Sequence, residues 1–141
     1  MILVVDASVA LKWFVEEQGS PEAGALLTRG DTLIAPDLII PEICNGTWKL
    51  VRRGMMSQTQ QVAAVARLAS ILNELAPTGP LAPRALVISS LLDHPAYDCF
   101  YLALAEQRGT RVVSADRRLI QRVSGTMWEA LLTDIRTLRM G

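Results

Sequence analysis

Four carboxylates each stand at the edge of an apolar stretch: Asp6, Glu42, Asp98 and Asp116. Asp6 ends the run MILVVD, Asp116 follows RVVSA, Asp98 opens DCFYLALAE, and Glu42 sits within LIIPEIC. Carboxylate oxygens gathered at one end of a single sheet would make a site for a hard divalent cation, Mg²⁺ or Mn²⁺ rather than zinc. Two carboxylates ~4 Å apart repel by about 4 kcal/mol at an effective dielectric of ~20. Four together protonate in part or push apart unless a cation neutralises them. A cation so held lowers the pKa of bound water and steadies charge developing on a phosphate, so no nucleophilic side chain is needed.

Each acid also has an ordinary explanation. Asp6 and Asp116 both follow an apolar strand and precede a helix, where Asp is a good N-cap worth roughly 0.5–2 kcal/mol. The same position, just past the carboxyl end of a parallel strand, is where ligands bind in open sheets. Asp98 begins a helix that is apolar nearly all round, with no Lys or Arg within one turn, and a buried ionised carboxylate requires a partner or a metal. Glu42 shares a polar stripe with Asn45, Gly46 and Lys49 at helical spacing, which taken alone describes a solvated surface acid.

The elements that would position these acids follow from periodicity. Short apolar runs alternate with helical patterns, the signature of βα units and a parallel sheet. Strands are predicted at 2–5, 32–35, near 76–79, at 111–114 and, as a last edge strand, at 130–133. Helices are predicted over 8–17, after the Ser20 cap and Pro21, over 38–53 behind an Asp37 cap, from a Ser57 cap to about Leu75, over 83–92, over 97–108 up to Gly109, and from Asp116 to about Arg122. The helices 38–53 and 57–75 form a hairpin projecting from the sheet. The fold class is therefore α/β, three layers, with a short parallel sheet of about four to five strands flanked by helices, in a single domain over 1–141.

The combination VVDASV, PEICN, YDCFYLALAE and VVSADRRL resembles the PIN-domain family, and within it the VapC-type toxin ribonucleases of toxin–antitoxin pairs. The resemblance runs from Met1 to about Val123. It implies a PIN-like nuclease fold in which Asp6, Glu42, Asp98 and Asp116 are the catalytic, metal-binding quartet. Ser8 matches the hydroxyl residue two positions after the first Asp, and Ser114 the Thr or Ser two before the last. Both would be polar support; helix capping is the ordinary alternative for Ser8, and for Ser114 a strand-end role explains it equally simply. The resemblance further implies Mg²⁺ or Mn²⁺ as cofactor, RNA as substrate, and products ending in a 3′-hydroxyl and a 5′-phosphate. It also implies a homodimer and a VapB-like antitoxin covering the acidic cleft. The positions after Asp116 that carry a further acid in some members are Arg117 and Arg118 here, which speaks against a second fully occupied metal site.

Composition bounds the alternatives. Fourteen basic and fourteen acidic residues cancel, so any contact with nucleic acid must be local. Candidate patches are Lys49, Arg52 and Arg53, and Arg117, Arg118 and Arg122; solvated helix faces explain them too. Cys44 and Cys99 read as small buried hydrophobes in a reducing compartment. The N-terminus lacks the pattern of a signal peptide, no run approaches the ~20 residues of a membrane span, and a cytoplasmic location follows. His94, between Asp93 and Pro95, reads as a surface loop residue, and Asp93 as a turn residue. Trp13, Phe14, Trp48, Met55 and Met56 flank the proposed cleft. Competing functions are a PIN-type RNA-processing nuclease without an antitoxin and a catalytically silent peptide-binding module. A haloacid-dehalogenase-like phosphatase is disfavoured, because Ser8 stands where that chemistry places its second Asp.

Overall fold

A computed structural model describes residues 1–138; the last three positions of the single domain expected over 1–141 lie outside the described residues. Five strands form one parallel sheet: β1 (Ile2–Val5), β2 (Thr32–Pro36), β3 (Glu74–Ala76), β4 (Val112–Ser114) and β5 (Leu132–Asp134), in the order β3-β2-β1-β4-β5. Leu3, Val4 and Val5 are fully buried, as a central strand covered on both faces requires. The order runs outward in one direction from β1 to β3 and then reverses to β4. The switch point therefore lies between β1 and β4, and a crevice opens there beyond the strands' carboxyl ends.

Seven helices cover the sheet: α1 (Ala7–Ala10), α2 (Ser20–Leu26), α3 (Ile39–Arg52), α4 (Gln58–Ile71), α5 (Ala82–Leu92), α6 (Ala96–Arg108) and α7 (Arg117–Val123). Parallel crossovers are right-handed by rule, and with this strand order that rule assigns α1 to α4 to one face and α5 to α7 to the other. Helix α6 is the most buried: Cys99, Tyr101, Leu102, Ala103, Leu104 and Ala105 all pack inside. Each large aliphatic among them contributes about 1.5–3 kcal/mol. Gly109, at φ 63°, ends α6 in the left-handed conformation expected of a C-terminal glycine.

Several boundaries differ from expectation for identifiable reasons. The first helix stops at Ala10 and continues only as a 3₁₀ turn to Trp13, not to residue 17. Ser20 accounts for this: its hydroxyl donates to the Val15 carbonyl at 2.8 Å and accepts from the Glu17 amide at 3.0 Å. Ser20 is thus the first residue of α2, and Gly19 occupies the cap position. Asp37 does not cap α3 through its side chain; the carbonyls of Asp37 and Leu38 receive the first amides. Ser57 does cap α4, in a reciprocal box with Gln60, but α4 ends at Ile71 and the chain is already in β3 at Glu74. Thr47, not Cys44, takes a buried position on α3, because its hydroxyl is satisfied by the Ile43 carbonyl at 2.7 Å; Cys44 is exposed.

Candidate active site

Asp6 follows β1 directly and Ser114 ends β4, so the parallel pairing Val5 to Val113 makes them neighbours across the switch point. Asp6 is only 4% exposed. It occupies the N-cap position of α1 but makes no capping bond with its side chain, so capping does not explain it. Its Oδ2 instead accepts from the hydroxyls of Ser8 and Ser114, each at 2.7 Å. Both hydroxyls also accept a backbone amide from the turn after β4: Ala115 on Ser8 and Asp116 on Ser114, each at 3.0 Å. One carboxylate oxygen thereby ties the ends of β1 and β4 together.

Asp116 does cap its helix, with Oδ1 accepting from the amides of Arg118 and Leu119 at 3.0 and 3.4 Å. Glu42, placed in the first turn of α3, is half-buried, and the buried Tyr101 of α6 donates its hydroxyl to Oε1 at 2.6 Å. Asp98, in the first turn of α6, has His94 Nε2 within hydrogen-bond distance of Oδ2, at 2.6 Å.

His94 was expected on the surface, and the fold places it otherwise: its side chain is 8% exposed. Asp93 ends α5 with φ 51°, a left-handed turn that Asp tolerates. Ser89 then closes on His94 from both directions, its carbonyl accepting the His94 amide at 3.2 Å and its hydroxyl donating to the His94 carbonyl at 2.6 Å. The ring is thereby fixed against α6. His94 and Tyr101 are the two site residues that sequence reasoning missed. They lie four residues before and three after Asp98, the spacing of neighbours on one helical face.

A common pattern emerges. Each of the four carboxylates is hydrogen-bonded through one oxygen, and the other oxygen of each makes no hydrogen bond among the described residues. The charges are mutually felt. Burial pushes Asp6 up to about 6, against the lowering effect of Ser114 and Ser8 and with a further rise from Asp98 and Asp116. Burial pushes Glu42 up to about 7, partly offset by Tyr101 and reinforced by Asp6 and Asp98. Asp98 is raised chiefly by burial, lowered by the His94 hydrogen bond and raised again by Asp116. Among the described residues, no group of three or more Asp, Glu, His or Cys side chains is gathered closely enough as placed to hold a metal ion. Burial first, and then the neighbouring carboxylates, raise Asp6, Glu42 and Asp98, so a counter-charge placed among them would be favoured. The all-oxygen donor set with a free oxygen on each member fits a hard divalent cation.

A cleft of about 630 Å³ opens over Asp98 and Asp116 and is walled by His94, Arg118, Gln121 and Arg122. The second basic cluster is thus divided. Arg118 and Arg122 share the cleft with Asp98 and Asp116, which Asp6 and Glu42 do not line, while Arg117 lines a separate depression with Lys12 and Arg136 and acts electrostatically on Asp134.

The PIN domain family model matches residues 3–125. This chain belongs to the PIN-domain family. It is 29% identical to Ribonuclease VapC3 of Pyrobaculum aerophilum over 124 residues, covering 86% of this chain and 95% of that protein. It is 31% identical to Ribonuclease VapC12 of Mycobacterium tuberculosis over 123 residues, 85% of this chain and 91% of that one. The crystal structure of VapBC2 from Rickettsia felis, bound to a DNA fragment from their promoter, shares the fold: TM-score 0.65 at 11% identity, over 94% of this chain and 98% of that one. The five-stranded parallel sheet is the PIN architecture expected from the sequence. Among the described residues no helix is long and apolar enough to cross a membrane.

Proposed function

We propose that this protein is a divalent-metal-dependent endoribonuclease, the toxin of a toxin–antitoxin pair, restrained by a small VapB-like antitoxin that covers the acidic cleft. The observation that carries this reading is the set of four held carboxylates, each keeping one oxygen without a hydrogen bond, at the carboxyl edge of a PIN-family sheet. The ribonuclease names of the two curated relatives support the substrate class.

Asp6, Glu42, Asp98 and Asp116 are the residues we assign to hold Mg²⁺ or Mn²⁺. Such an ion supplies a Lewis acid that polarises phosphate oxygens and lowers the pKa of water. The chain's own groups do the positioning. Ser8 and Ser114 fix Asp6, Tyr101 fixes Glu42 and His94 fixes Asp98, as hydrogen-bonded supports of ligands do. Arg118 and Arg122 give the cleft wall positive charge for phosphate oxygens flanking the cut. Hydrolysis leaves a 3′-hydroxyl and a 5′-phosphate. The homodimer and the cytoplasmic setting implied by the resemblance remain part of this reading.

Cleavage of RNA in Mg²⁺ is expected to stop on addition of EDTA and to return when Mn²⁺ is supplied in excess. Cleavage that persists in EDTA would sink the proposal.

Tyr101→Phe tests the support of Glu42. The hydroxyl lowers the Glu42 pKa, so its loss raises that pKa further, and more of the carboxyl is protonated at pH 7. Ion binding must displace that proton. The half-saturating Mg²⁺ concentration for cleavage is expected to rise by about tenfold at pH 7, and the gap to wild type should narrow as pH rises past 8. An equal Mg²⁺ requirement at pH 7 would contradict the role given to Tyr101.

A further inference from the structure

Trp48 stands 48% exposed on α3, although an indole is among the more costly groups to leave in water. Arg52, one turn on, sets its guanidinium 4.9 Å from the ring centroid. That contact steadies the indole and covers one of its faces, leaving the exposure on the other. Trp48, Lys49, Arg52 and Arg53 together line a depression of about 310 Å³. Among the described residues none of these three cations is ion-paired to a carboxylate. In a chain of zero net charge, this is a concentrated local attraction for an anion beside a flat aromatic surface.

Helix geometry ties the patch to the acids. At about 100° per residue, Lys49 and Arg53 project within roughly 20° of the direction of Glu42, with Trp48 and Arg52 on the adjoining flank. At ~1.5 Å rise per residue, Lys49 lies about 10 Å and Arg53 about 16 Å along the axis from Glu42.

We infer that Trp48, Lys49, Arg52 and Arg53 form a binding subsite for a single-stranded stretch of the RNA substrate a few nucleotides from the point of cleavage. A base stacks on the open face of Trp48, and flanking phosphates meet Lys49 and Arg53. The identity of the ligand rests on the nuclease reading above. The chemistry favours RNA over an acidic protein segment: carboxylates would use the cations and leave the indole face empty, whereas a nucleotide uses both. It favours a single strand over a duplex, because a paired base has both faces already stacked and only an unpaired one can lie on the indole.

The test uses a labelled oligoribonucleotide of about 12 nucleotides without self-complementarity, titrated in EDTA with tryptophan emission and anisotropy as readouts. Cleavage kinetics in Mg²⁺ follow on the same variants. Because Trp48 is exposed, Trp48→Ala should melt as wild type does. It should weaken single-strand binding by about tenfold or more, and Trp48→Phe should restore most of the loss. Lys49→Gln should reduce the slope of log affinity against log salt by about one. In cleavage, Trp48→Ala should raise KM and leave kcat unchanged. The strand annealed to its complement should bind with no dependence on Trp48.

Wild-type RNA affinity in both Trp48→Ala and Lys49→Gln overturns the inference, as does equal dependence on Trp48 for the duplex. Loss of binding only to an acidic protein partner, with RNA affinity intact, overturns it as well. The two readings fail separately. Binding through Trp48 in EDTA without cleavage in Mg²⁺ keeps the subsite and removes the nuclease. Normal cleavage with a KM indifferent to Trp48 removes the subsite alone.

Discussion

Asp98→Asn is expected to leave the protein folded and to lower RNA cleavage by about 10²–10³-fold. The substitution is nearly isosteric, and the Asn amide, which both donates and accepts, can keep the hydrogen bond with His94 Nε2 in either tautomer. It also removes a charge that raises both Asp6 and Glu42, so nothing in the fold is strained by it. What it removes is one of the four anionic side chains proposed to hold the ion. Neutralising charge at a reacting phosphate is worth several kcal/mol, and each ~1.4 kcal/mol is a factor of ten in rate. Circular dichroism and a melting curve matched to wild type, alongside the rate, check this. A variant that cleaves at near wild-type rate would remove Asp98 from the chemistry.

Asp6→Asn should make the metal-free protein more stable at pH 8, by as much as about 3 kcal/mol. Burial lifts the Asp6 carboxyl from 3.8 to about 6, and ~1.4 kcal/mol attaches to each pKa unit. The folded state therefore holds a proton that the unfolded chain has released between the two values. The stability linked to that proton is present in full below about pH 4 and is lost as pH rises through 6. Asn carries no charge to desolvate and can still accept the two serine hydroxyls, so the variant escapes the loss. Urea titrations without divalent ions should show the gap at pH 8 and its closure near pH 4. Saturating Mg²⁺ should stabilise wild type and narrow the gap, because a ligand that binds only the folded state raises its stability. A variant less stable than wild type at pH 8 would mean that Asp6 is structural.

These two expected outcomes together would separate function from fold: the acids assigned to the metal centre are a liability to the fold without an ion. Much of this placement was legible in the sequence. The runs ILVV and RVVS mark strands by unbroken apolar character, and an Asp just beyond each lies at a carboxyl edge whatever the rest of the fold does. The ambiguity between cap and site was resolved only by geometry. Asp116 does cap its helix, whereas Asp6 turns away from capping and toward Ser8 and Ser114. Ser114 could not be valued beforehand, because its partner lies 108 residues away across the β1–β4 pairing.

His94 was hidden for a different reason. A loop histidine beside a proline is usually solvated, and here the left-handed turn at Asp93 and the paired Ser89 bonds carry it inward. Tyr101 was hidden inside an apolar helix, and its buried hydroxyl found its partner only across the fold, on Glu42. Helix 8–17 was overextended because apolar spacing alone does not register a serine whose hydroxyl satisfies the chain three and five residues earlier. Cys44 was misplaced because Thr47, with an internal partner for its hydroxyl, competed for the same buried side of α3.

The most direct test of a metal-held carboxylate centre that hydrolyses RNA is the chemistry of the ends it leaves. RNA from cells expressing wild type or Asp98→Asn should be sequenced by a method that captures 5′-phosphate and 5′-hydroxyl ends separately. New, discrete 5′-phosphate ends in wild type alone, reproduced by the purified protein with Mg²⁺ and absent in EDTA, are the expected result. Identical ends from Asp98→Asn, or 5′-hydroxyl ends that form in EDTA, would contradict it.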